Sequence, residues 1–160
     1  LAGEALKTFT LEEARTLLPV LESLLRGAIA GKQEAEEADA GLAALNQRIQ
    51  LAGGMLVDVR KAARQRAVRQ HGIQRAKDAL AEIEAIGVLV KDLETGLLDF
   101  PFQLDDEVVL LCWKLGEPDI EYWHAQDAGF TGRAALDERF RRGPSRTPKA
   151  GTPGTDDKPN

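Results

Sequence analysis

From Leu11 onward the apolar residues recur in steps of three and four: Leu11, Ala14, Leu17/Leu18, Leu21, Leu24/Leu25 and Ala28, then Ala35, Ala38, Leu42, Leu45, Ile49 and Ala52. This is the period of one helix face. At ~1.5 Å per residue, a helix over 11–52 runs to roughly 60 Å, long for one domain. Its start is signalled by Thr10-Leu11-Glu12-Glu13, a capping box, with Phe9 and Ala14 at the staple positions. Pro19 falls inside the pattern and is expected to kink the helix rather than end it, because the period continues beyond it. The alternative is two helices broken near Gly31.

Gly53-Gly54 breaks the period. A second helix is expected over about 57–86, with apolar positions Val59, Ala62/Ala63, Ile73, Ala76, Leu80 and Ile83 and with Gly87 as its C-cap glycine. The two helices are expected to pair as an antiparallel hairpin. Its Ala-rich distal part offers little to bury in a monomer, so a homo-oligomer formed through the hairpin is expected to cover it.

After Gly87 the period falls to two. Residues 88–93 and 97–102 read as a strand and its return around Glu94-Thr95-Gly96, with Pro101 marking an edge or a strand end. Residues 107–115 are the most strand-like. Gly116-Glu117-Pro118-Asp119 is turn chemistry, and 120–124 reads as a fourth strand. Residues 134–142 carry a short amphipathic pattern that suggests a helix. The expected fold is α+β: a helical hairpin over 9–86 packed on a small antiparallel sheet over 87–133. Together they form one domain over 1–142. The tail 143–160, with four prolines and almost no apolar content, is expected to be flexible.

Charge sharpens the search. Residues 1–86 carry 12 basic and 12 acidic side chains, whereas 87–142 carry 6 and 12. The acidity lies on the expected sheet, a surface that attracts cations and repels phosphate backbones. The basic run over 60–77, seven positive charges with no acid among them, faces the acidic run Glu34, Glu36, Glu37 and Asp39. Pairing between helices accounts for it better than nucleic acid, since no aromatic residues interleave. No apolar stretch approaches the ~20 residues a membrane helix needs. No basic segment leads into an apolar one at the start, so no signal peptide is expected, and the cytosol is the expected compartment.

Two histidines are present, His71 and His124. His71 lies in the polar middle of the second helix and reads as solvent-facing. His124 is close in sequence to Glu117 and Asp127. A tight turn over 116–119 pairs Leu115 with Ile120 and Leu111 with His124, and the first hairpin brings Asp92 and Asp99 into the same sheet. Asp99 stands in an apolar strand, where a carboxylate must reach water or a partner. One imidazole with two or three carboxylates from Asp92, Asp99, Glu117 and Asp127 suits Zn, Mn, Fe or Ni. The competing reading is surface carboxylates beside a hydrogen-bonded histidine. In an enzyme, Asp99 would be the base, and Arg133, after two loop glycines, would hold an anionic substrate or staple the loop to Asp127 or Asp99. In that register Cys112 points away from His124 and reads as a packing residue. The lone cysteine forms no disulfide within the chain, and no organic cofactor is indicated.

The ordered string of motifs is specific. It comprises Phe9-Thr10-Leu11-Glu12-Glu13-Ala14 with Leu17-Leu18-Pro19, then Gly87 to Leu93, then Gly96-Leu97-Leu98-Asp99-Phe100-Pro101. It continues with Leu111-Cys112-Trp113 and Leu115-Gly116-Glu117-Pro118, and ends on Tyr122-Trp123-His124, Asp127-Ala128-Gly129-Phe130 and Gly132-Arg133. Over about 9–133 the chain resembles the bacterial family called domain of unknown function 2203. The resemblance implies a small cytosolic bacterial protein with no assigned activity, of which some members bear a metal-binding label. Asp92, Asp99, Glu117, His124 and Asp127 all fall on its motifs.

Overall fold

The computed structural model describes residues 6–51 and 59–142. The expected break at Gly53-Gly54, the expected start of the second helix at 57 and the tail 143–160 lie outside them. Helix α1 spans Leu11–Leu51 and α2 spans Val59–Ile86. Strands β1 (Leu89–Asp92), β2 (Leu97–Leu104), β3 (Glu107–Lys114), β4 (Tyr122–His124) and β5 (Ala134–Ala135) follow, with short 3₁₀ turns at Phe130–Gly132 and Glu138–Phe140. The sheet is an antiparallel meander in the order β1-β2-β3-β4-β5. The α+β hairpin-and-sheet architecture expected from the periods is the one found.

The local signals act as their chemistry requires. The Thr10 hydroxyl accepts from the backbone N–H of Glu13 at 3.1 Å, and Glu13 accepts from the Thr10 N–H at 3.3 Å. Both partners thereby satisfy donors that the first turn leaves open. Phe9 and Ala14 are buried in the main core. α1 runs unbroken through Pro19 and Gly31 for 41 residues. α2 ends in a Schellman motif: Gly87 adopts φ +100°, its N–H donates to Glu84, and the Val88 N–H donates to Ile83.

Gly31 is a contact rather than a break. A Cβ there would stand 2.5 Å from the carbonyl oxygen of Gly72, and one on Gly72 would meet the Gly31 carbonyl at 2.5 Å. The two backbones touch because neither residue has a side chain. Ala28, Ala35 and Ala38 of α1 and Ala79 of α2 are buried along the same seam. This seam covers the small residues of the middle of the hairpin, whereas toward its distal end Ala40, Ala43, Ala44 and Ala63 stay exposed. Across it, Arg69 pairs with Asp39 at 2.6 Å and His71 lies 3.6 Å from Glu34, so the basic run does meet the acidic one.

At its other end the hairpin packs Leu11, Leu21, Leu25 and Ile83 on Leu98, Phe100, Phe102, Val109, Leu111 and Trp113 of the sheet. Trp123 and Phe140 close this layer with rings 5.3 Å apart. Pro101 lies inside β2 on a stretch that β1 does not reach, the edge position rather than a strand end, and its carbonyl accepts from the Phe9 N–H at 2.8 Å. Two other expectations about the sheet need correction. Residues 134–142 begin as an edge strand against β4 and then turn, with Asp137 capping the 3₁₀ turn. Strand β4 starts at Tyr122, since Ile120 drops into the core and lengthens the connection. The pairs are then Leu110–His124, Leu111–Trp123 and Cys112–Tyr122, one residue off the expected register.

Gly31→Ala should lower stability by about 1–3 kcal/mol, because backbone cannot yield to the new methyl. Gly27 has nothing within 4 Å of an added Cβ, so Gly27→Ala should raise stability by about 0.5–1 kcal/mol through helix propensity. Urea unfolding of the two variants beside the parent checks the opposite signs.

Candidate metal centre

Alternation along β2 sends Leu98, Phe100 and Phe102 to the helices and Asp99 to the other face. Asp99 pairs directly with Cys112 of β3, and the one-residue shift at β4 turns His124 to that same face. The three side chains meet there although they come from three strands. They are nearly sealed from water: Asp99 is 1%, Cys112 0% and His124 5% exposed. Residues 126–130 lie on this face and line a cleft beside Asp99 and His124. Gln126 fixes one end by donating to the Val108 carbonyl at 3.0 Å. Arg133 fixes the other.

One ligand atom from each of Asp99, Cys112 and His124 lies within 4.8 Å of the other two. His124 Nδ1 stands 2.7 Å from the Ala125 carbonyl oxygen, and Nε2 stands 3.0 Å from Asp99 Oδ2. A carbonyl can only accept, so Nδ1 carries a proton and donates to Ala125. The Nε2···Oδ2 contact then needs one further proton between two potential acceptors. Asp99 Oδ1 has no hydrogen-bond partner. Burial pushes the Asp99 carboxyl above the usual carboxylate range, with His124 and, more weakly, Lys91 pulling the other way. Burial and the neighbouring Asp99 push the Cys112 thiol up to about 11, against an opposing pull from Arg133. Thiol, carboxyl and imidazole are donors that suit a divalent metal, and this buried group in the sheet could hold one. Asp99 and His124 also line a cleft of about 290 Å³ that opens beside them.

The other acidic candidates go elsewhere. Asp92 caps the β1–β2 turn, accepting from the Glu94 N–H at 3.0 Å and the Thr95 hydroxyl at 3.0 Å. Glu117 accepts from the Lys114 N–H at 2.7 Å and takes Arg133 on both oxygens, at 2.9 and 3.1 Å. Asp127 lines the cleft with Asp99 and His124 but is exposed and outside the three-residue group. Arg133 is a staple whose partner is Glu117, not Asp127 or Asp99. Its guanidinium also stacks over Tyr122 at 3.9 Å and Phe130 at 4.2 Å. Cys112 is the residue that sequence reasoning set aside, and register alone hid it.

A buried thiol raised this far is a poor nucleophile. Ellman's reagent at pH 8 should therefore react with Cys112 far more slowly in the native protein than in denaturant. Equal rates would place the thiol at the surface.

No curated protein and no solved structure is detectably similar to the chain. Residues 7–136 match the family described as "Uncharacterized conserved protein (DUF2203)". The match takes in both described helices and all five strands, together with the three buried donors, and the chain belongs to that family.

Proposed function

We propose that the chain is a divalent-metal-binding protein whose ligands are Asp99, Cys112 and His124. The observation that carries this reading is the His124 ring. Its Nδ1–H is held by a backbone carbonyl, which turns Nε2 toward the carboxyl and thiol. Metal-binding histidines are fixed in this way by an acceptor on the far nitrogen. Donors of a tetrahedral zinc site stand roughly 3.3–3.8 Å apart, as bond lengths of ~2.0–2.3 Å require. A spread within 4.8 Å needs only a small contraction. The partnerless Oδ1 of Asp99 gives the carboxylate a second oxygen to turn inward.

The donor chemistry narrows the metal. A thiolate favours Zn, or Fe and Co in its place, over Mn and Mg, which prefer oxygen. Thiolate and carboxylate together neutralise a divalent charge, which answers the cost of burying either alone. Three protein ligands leave one position open, as in catalytic rather than structural zinc sites. When bound, such a metal supplies Lewis acidity.

A second reading, assembly through the distal end of the hairpin, is favoured by one observation. Leu51 is 81% and Val59 72% exposed there. Sedimentation equilibrium decides it: a monomer at every concentration removes it, and a dimer that Leu51→Glu dissociates supports it.

The metal reading is tested by elemental analysis of tag-free protein beside His124→Ala and Cys112→Ser. Near-stoichiometric zinc is expected in the parent and little in either variant. Cobalt loading should add a sulfur-to-cobalt charge-transfer band that Cys112→Ser abolishes. Folded protein that takes up neither metal sinks the reading.

Metal uptake must displace the Cys112 proton and the proton between Nε2 and Oδ2. Affinity should therefore rise with pH, by about tenfold per pH unit for each proton released. Competition with a chromophoric chelator at pH 6 and pH 8 measures the slope, and a flat profile would contradict this ligand set.

A further inference from the structure

The cleft beside Asp99 and His124 has a mixed lining: Lys91 and Asp127 are charged, and Leu97, Leu110 and Phe130 are apolar. Lys91 is an unusual residue of β1. The ladder pairs Val90 with Leu98 and Asp92 with Leu97, so Lys91 is the extra residue of a bulge. Bulges leave one residue unpaired and re-aim side chains beside functional sites. Lys91 is exposed and makes no ion pair with any described residue. Its charge nevertheless reaches Asp99. Of the other cations near this face, Arg133 is taken by Glu117 and Lys114 stands over the Phe130 ring at 5.6 Å, and neither is on the lining.

We infer that this cleft binds a small organic monoanion, a carboxylate with an apolar or aromatic body, whose charged end is held by Lys91. The inference rests on the metal reading above and gives that site its ligand class. Three features select the class. The lining carries one lysine and no arginine, beside the proposed ligands Asp99 and His124, and one cation matches one negative charge. The Asp127 carboxylate on the same lining disfavours a dianion such as phosphate. Leu97, Leu110 and Phe130 offer contact to an apolar body, and a cleft of about 290 Å³ sits at the small end of ligand cavities, ~300–1,000 Å³.

The test uses the full chain loaded with cobalt, whose visible spectrum reports the open position. Benzoate, acetate and inorganic phosphate are titrated against it. Benzoate should shift the spectrum saturably and at lower concentration than acetate, with phosphate weakest. Lys91→Met should weaken benzoate about tenfold, the worth of one charge-assisted contact. Lys91→Met should still load with cobalt and keep the sulfur-to-cobalt band, since Lys91 is not a ligand, and Lys91→Arg should keep most of the benzoate response. A cobalt-loaded protein whose spectrum no anion moves overturns this inference and leaves the metal reading standing. So does benzoate binding no tighter than acetate, phosphate binding tightest, or indifference to Lys91→Met. Failure to take up cobalt overturns both.

Discussion

A carboxyl group buried to 1% exposure in the middle of a sheet must be answered by a proton, a cation or a metal. Asp99 sets this demand, and much of the C-terminal half is arranged around it. Its direct neighbour across β2 and β3 is a thiol, and its hydrogen-bond partner is an imidazole held from behind by a carbonyl. The segment that follows His124 lies beside the group and is anchored by Gln126 on Val108 and by Arg133 on Glu117. The imidazole answers one carboxyl oxygen, while Oδ1 has no partner and burial raises both the carboxyl and the thiol, so the group still carries the cost of its burial.

The fold was legible because its signals are local. A capping box, a helical period of forty-odd residues, a C-cap glycine and a change of period at Gly87 need no knowledge of the rest of the chain. The capping contacts and the Schellman bonds form between residues a few positions apart. What sequence could not resolve was tertiary. Gly31 reads as a breaker because a glycine in a helix costs stability on its own. Its reason for being there, the backbone of Gly72, is forty-one positions away.

The site was half legible for the same reason. Asp99 and His124 stood out as polar residues in apolar strands, and they do meet. Cys112 was lost to a single register step. A tight turn at 116–119 is what the residues suggest, but the core needs Ile120, and so β4 begins later. Since side chains alternate, one step moves every residue to the other face. Asp92 and Glu117 carry the right chemistry but spend it locally, on a turn and on an arginine. Lys91 gave no signal, because a bulge is invisible until the strands are paired.

The crossing of Gly31 and Gly72 has one more consequence. Most helix pairs can absorb a new side chain by shifting rotamers, so their separation drifts as sequences change. Here two main chains are in contact, and there is no side chain on either to rearrange. The helix separation at this crossing is therefore set by atoms common to every residue, and substitutions on the outer surfaces of the two helices leave it unchanged there.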